Sequence, residues 1–71
     1  MTLRLVRALA ATAIEPVRES AHRTVVEIYM AEGNNACGVK HFHYYRRLVQ
    51  QELGVAPSRK MTELLHGLVS V

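Results

Sequence analysis

Residues 34–57 have the sequence NNACGVKHFHYYRRLVQQELGVAP, and this stretch decides the fold. Its apolar side chains recur at helical spacing and fall within one arc: Phe42, Tyr45, Val49 and Leu53. Donors and cations occupy the opposite arc: Lys40, His43, Tyr44, Arg47 and Gln51. We therefore expect a helix from about Val39 or Lys40 to Leu53, ended by Gly54, whose apolar side faces a core.

The flanking sequence predicts three more helices, at residues 2–14, 16–31 and 58–66, and no strands. Pro16 separates the first two, because proline suits the first turn of a helix but not its interior. The core-facing side of the first helix is expected to consist of Leu3, Val6, Leu9, Ala10 and Ala13. That of the last helix is expected to consist of Met61, Leu64, Leu65 and Leu68.

These elements predict an all-α fold, a small domain of four helices that spans residues 1–71. Within this single domain, residues 1–32 would form a supporting half used for dimerisation. Residues 33–71 would form a helix-turn-helix-like half.

The predicted second helix has apolar residues on two sides. One side is formed by Val17, Ala21, Val25 and Ile28. The other contains Val26 and Met30. A chain of 71 residues buries little surface, and its single cysteine excludes an internal disulfide. We therefore expect a homodimer. Its expected interface comprises Val17, Val25, Val26, Ile28, Tyr29 and Met30.

The formal charge of the chain is +3, and the whole excess lies in its second half. Residues 1–32 contain four arginines and four glutamates, whereas residues 33–71 contain five basic residues and two glutamates. An anionic partner would therefore meet the second half. No apolar stretch approaches the roughly 18 residues of a membrane span. The first 14 residues are too alanine-rich for a secretory signal. We expect a cytoplasmic protein without membrane contact.

The pattern of reactive side chains favours neither catalysis nor metal binding. His41 and His43 are two residues apart, and on a helix their side chains point about 200° apart, so they cannot share one ion. Cys37 lies beside a glycine at a helix start, where cysteine usually serves as small packing material. The chain has no aspartate, no paired carboxylates and no glycine-rich phosphate loop. We expect no enzyme, metal or cofactor, and partly exposed positions for His22 and His66.

Residues 32–57 resemble the second helix-turn-helix of AraC/XylS-type transcription regulators. Cys37-Gly38-Val39 matches the opening of that motif, Tyr44-Tyr45 its aromatic pair, and Arg47 its arginine. Gly54 matches the turn glycine, and Ala56-Pro57 matches the start of the last helix. The resemblance implies that the third helix is a DNA recognition helix. Residues 1–31 do not resemble the other helix-turn-helix of that family, so a dimer would supply the second reading helix.

The expected function is therefore a small dimeric transcription regulator that binds duplex DNA through the 40–53 helix. Lysine and arginine suit phosphates and guanine edges, and glutamine suits adenine edges. The expected DNA contacts are Lys40, His41, His43, Tyr44, Arg46, Arg47, Gln51, Arg59 and Lys60. Two subunits would read half-sites about 34 Å apart.

An alternative is a small helical protein that binds and inhibits another protein, such as a transcription factor or an assembly ATPase. Its motivation is a group of aromatic residues of the types enriched at protein interfaces. The group consists of Tyr29, Phe42, Tyr44 and Tyr45.

Overall fold

The computed structural model describes residues 2–69, which form four helices and no strand. The helices are α1 (Leu3–Ile14), α2 (Glu19–Ala31), α3 (Asn35–Leu53) and α4 (Arg59–Val69). Helix α2 packs against all three others, and α4 also packs on α3. The expectation of an all-α, four-helix chain is thus confirmed. No helix in the described range is both long enough and apolar enough to cross a membrane.

Short polar residues and glycines set the helix ends. The Thr2 hydroxyl accepts a hydrogen bond from the backbone N–H of Leu5 at 3.2 Å and so caps the start of α1. Gly33 ends the turn after α2 with φ of 75°, and Gly54 ends α3 with φ of 67°. Both lie in the left-handed region that favours glycine. The predicted end of the third helix at Gly54 is therefore confirmed.

Helix α3 begins at Asn35, about one turn before the predicted start. Gly38 consequently lies inside the helix, where glycine is ordinarily unfavourable. A Cβ atom at this position would be 3.2 Å from Leu68 Cδ2 and 3.6 Å from Tyr29 Cβ. The missing side chain thus lets α4 and α2 approach α3 closely, and this packing offsets the low helix propensity of glycine.

Two separate core clusters lie on either side of α2. One contains Val25 and Ile28 of α2, with Leu5 and Ala8 of α1. The other is built around Val26 and draws its remaining members from α3 and α4: Phe42, Tyr45, Val49, Met61 and Leu68. The arc predicted for α3 is therefore correct at its first three positions. Its fourth member, Leu53, is exposed at the end of the helix, beyond this cluster.

The position of α1 corrects the expected dimer interface. Val25 and Val26 are each 0 % exposed and Ile28 is 3 % exposed within a single chain. The second apolar side of α2 is covered by α1 and does not require another copy of the protein. These three residues cannot contact a second copy in this fold. Tyr29 and Met30 are half-buried, and Val17 is exposed.

Helix α1 also packs with a different side from the one predicted. Leu5 and Ala8 are buried and Leu9 packs against them, at the spacing of one helix face. Leu3 and Val6, which were expected in the core, are exposed. Because α1 carries alanine, leucine or valine on most of its circumference, its sequence alone does not select the buried side.

A carboxylate on α2 ties three helices together. Glu19 Oε1 accepts hydrogen bonds from the Tyr45 hydroxyl at 3.2 Å and from the Ser58 backbone N–H at 2.9 Å. Glu19 Oε2 accepts one from the Ser58 hydroxyl and lies 3.6 Å from an Arg23 nitrogen. Burial alone would raise the pKa of Glu19, but the hydrogen bonds from Ser58 and Tyr45 and the charge of Arg23 outweigh it and lower that pKa.

We predict that Glu19→Ala lowers the free energy of unfolding by about 2 kcal/mol, since hydrogen bonds to a charged group are the stronger kind. Urea denaturation at neutral pH, followed by far-UV circular dichroism, measures this change. Glu27→Ala is the matched control, because Glu27 is exposed on the same helix. It should change stability by less than about 0.5 kcal/mol. Equal effects of the two substitutions would contradict the role assigned to Glu19.

Candidate functional site

The outer face of α3 is a basic surface without a compensating carboxylate. Lys40, Tyr44, Arg46, Arg47 and Gln51 are all exposed. The ion pairs within residues 2–69 join Arg18 to Glu15, Arg23 to Glu19 and Arg59 to Glu63, and none of them involves α3. The only acid on this helix is Glu52, in its last turn. We call Lys40, Tyr44, Arg46, Arg47, Gln50 and Gln51 the basic face.

The C-terminal half of the basic face is concave. Arg46, Arg47, Gln50 and Gln51 line a shallow depression of about 270 Å³. Two guanidinium groups and two amides supply many hydrogen-bond donors at this place, and guanidinium groups match phosphate geometry well. The depression can therefore receive an anionic group together with a polar neighbour.

The two DNA contacts predicted on α4, Arg59 and Lys60, do not belong to the basic face. Arg59 lies in the first turn of α4, where its guanidinium is 3.3 Å from a carboxylate oxygen of Glu63. Both side chains are largely exposed, so this pair is weak and leaves Arg59 accessible. Lys60 is exposed beside it. No described hydrogen bond or ion pair connects these two residues to the basic face.

His41 belongs to an internal histidine pair and not to the basic face. His22 Nε2 lies 2.7 Å from the Pro16 carbonyl oxygen, and His22 Nδ1 lies 2.9 Å from His41 Nε2. A carbonyl oxygen can only accept, so His22 carries its proton on Nε2 and its Nδ1 accepts from His41 Nε2–H. His41 is half-buried and its Nε2–H is already used, so it does not offer that donor to DNA.

The histidine pair corrects the expectation for His22, which is 0 % exposed. Its ring stacks near that of His41, with centroids 5.1 Å apart, and lies 4.6 Å from that of Tyr45. Burial lowers the pKa of His22, against a smaller opposite effect of the Pro16 carbonyl. Burial and the neighbouring His22 lower the pKa of His41 to about 4. Both rings are therefore neutral at pH 7.

His43 is half-buried, and its ring lies edge-on to that of Phe42 at a centroid distance of 5.6 Å. Its Nδ1 atom is buried and has no hydrogen-bond partner. Beside the start of the basic face, Cys37, Lys40, Tyr44 and the half-buried His41 and Tyr29 line a second shallow depression of about 260 Å³. Residues 2–69 bring together no group of three metal-ligating side chains.

We predict that the free energy of unfolding decreases as the pH falls from 6.5 toward 5. His22 and His41 bind protons more readily in the unfolded chain than in the folded one, so acid favours unfolding. A shift from about 6.5 to about 4 at His41 corresponds to a loss of about 1.5 kcal/mol over this range. Urea denaturation at several pH values measures it.

In the same experiment, His41→Gln should lose less unfolding free energy between pH 6.5 and 5, because an amide can still donate a hydrogen bond to His22 but does not titrate. Lys40→Gln, at an exposed neighbouring position, should keep the dependence of the unmodified chain. Identical dependence for His41→Gln and the unmodified chain would show that the pair does not govern this acid sensitivity.

Comparison with protein families matches residues 4–68 to the bacterial transcriptional activator domain (BTAD). Comparisons with curated proteins and with solved structures give no match. The family match includes all or nearly all of each of the four helices. The chain therefore belongs to the bacterial transcriptional activator domain family, a family of transcription regulation.

Proposed function

We propose that this chain is the part of a transcription regulator that contacts duplex DNA through the basic face of α3. The observation that carries the proposal is the set of three cations, Lys40, Arg46 and Arg47, which are exposed and have no ion-pair partner among the described residues. Positive charge that no carboxylate neutralises is available for phosphates. Contact with DNA would place the protein in the cytoplasm.

The proposed roles follow from the side-chain chemistry. The three cations bind phosphate oxygens, and the Tyr44 hydroxyl donates to a further phosphate. Gln50 and Gln51 reach base edges from the rim of the depression at the end of α3. Because lysine and arginine neutralise phosphates whatever the sequence, most of the binding energy in this proposal comes from the DNA backbone.

The resemblance of residues 32–57 to the second helix-turn-helix of AraC/XylS-type regulators supports the use of the same helix. The early start of α3 at Asn35 distinguishes the chain from that motif, since Cys37-Gly38-Val39 lies within the helix. Since Val25, Val26 and Ile28 are used inside the chain, the proposal concerns one copy and does not depend on dimerisation.

A protein partner is the second candidate function. The observation that favours it is the row of exposed apolar residues on α1, a helix that does not pack on α3. Exposed apolar patches of this kind commonly mark interaction sites. In this second candidate function, the chain would bind another protein and inhibit it.

We predict that the chain binds a fluorescently labelled duplex at low salt and that binding weakens as salt is added. The double variant Lys40→Ala/Arg47→Ala should reduce the slope of log affinity against log salt by about 2, because each lost phosphate contact removes roughly 0.9. Fluorescence anisotropy between about 50 and 200 mM salt covers the range in which this effect is large.

The matched control is Arg4→Ala/Arg7→Ala, which removes the same charge from α1. It should leave most of the slope intact. Absence of binding at low salt would exclude the proposed DNA contact. If both double variants reduced the slope equally, binding would depend on net charge alone. That result would contradict the assignment of the DNA contact to α3.

A further inference from the structure

Helix α1 has a second apolar side that no described helix covers. Leu3 is 63 % exposed, Val6 47 % and Ile14 79 %. Ala10 and Ala13 are exposed as well. Leu3, Val6, Ala10 and Ala13 follow one another at spacings of three, four and three residues, so they form a single stripe along the helix. We call these four residues, together with Ile14, the α1 stripe.

The α1 stripe is distinct from the buried side of the same helix. Leu5 and Ala8 face the core, and among the described helices α1 packs only against α2. Single exposed apolar residues are normal on protein surfaces, but a continuous stripe along one helix is the arrangement that a partner helix buries. The two alanines in its middle allow close approach of another backbone.

Charge along the α1 stripe specifies the kind of partner. Arg4 and Arg7 are exposed, and neither takes part in an ion pair within residues 2–69. Helix α1 contains no acidic residue. A helix from a second copy of this chain, paired in parallel through the same stripe, would bring four arginines together without a carboxylate from α1. An incoming helix with acidic residues at its flanks would neutralise them.

The groove at the end of α1 adds a place for a larger side chain. A shallow cavity of about 320 Å³ lies between α1 and the start of α2 and is lined by Ala11, Ile14, Ser20, Ala21 and Thr24, together with Glu15 and Arg18. Its apolar members adjoin the stripe through Ile14, so a helix that lies on the stripe can place one side chain in this cavity.

We propose that the α1 stripe is a docking site for an amphipathic helix of a partner protein, whose apolar residues are flanked by aspartate or glutamate. Because α1 does not pack on α3, this site is formed by other residues than the basic face. The inference does not depend on DNA binding.

The test uses the full chain and two synthetic helical peptides with the same leucines at heptad a and d positions. One peptide carries glutamates at the flanking positions, and the other carries lysines. Isothermal titration calorimetry should show binding of the glutamate peptide and at least tenfold weaker binding of the lysine peptide. The double variant Arg4→Glu/Arg7→Glu should reverse this preference, which a merely structural role of these arginines would not produce.

A matched pair of apolar variants locates the site. Val6→Gln should weaken binding of the glutamate peptide at least tenfold, whereas Val55→Gln should leave it unchanged. Val55 is a suitable control because it is 48 % exposed, close to the 47 % of Val6, and lies outside the helices. Circular dichroism should show that both variants keep the helical content of the original chain.

Three results would overturn the proposal. The first is no binding of either peptide, and the second is equal weakening by Val6→Gln and Val55→Gln. The third is a dimer, detected by light scattering after gel filtration, that Val6→Gln dissociates, since the stripe would then be occupied by a second copy. None of these measurements includes DNA, so their failure is separate from failure of the proposed DNA contact.

Discussion

The fold depends on α2 being buried on two sides at once. Val25 and Val26 are consecutive, so their side chains point about 100° apart around the helix. Each is completely buried, but in a different cluster, one shared with α1 and the other with α3 and α4. Helix α1 therefore shares no core with α3 and α4, which pack on each other, and it is held to them only through α2. A one-sided amphipathic helix in its place would retain one cluster and release the helices of the other.

The parts of the fold that could be predicted are those in which periodicity selects a single side. Helix α3 has polar residues on one side, so its wheel correctly placed Phe42, Tyr45 and Val49 in the core. Helix α1 is apolar on most sides. Its buried side is selected by the shape of α2, and this cannot be read from the sequence of α1 alone. The early start of α3 depends on Leu68 packing over Gly38, a contact between residues far apart in the sequence.

In the candidate site, too, the features set by the periodicity of one helix could be predicted, and those set by packing between helices could not. The exposed positions of Lys40 and Arg47 follow from the wheel that placed the core. The histidine pair was missed, although one signal was present: His22 precedes Val25 and Val26 by three and four residues, which indicates a buried position. Its partner His41 lies on another helix, and only the packing of α2 against α3 brings the two rings together.

The Glu19 carboxylate has a consequence for the opposite side of α3. It accepts a hydrogen bond from the Tyr45 hydroxyl on the inner side of that helix and another from Ser58 at the start of α4, and the Tyr45 contact opposes rotation of α3 about its own axis. The cations on the outer side consequently keep one orientation relative to the rest of the chain. The backbone that carries these cations is already ordered in the free protein. Binding of a partner therefore does not include the entropic cost of ordering it, because that cost was met during folding.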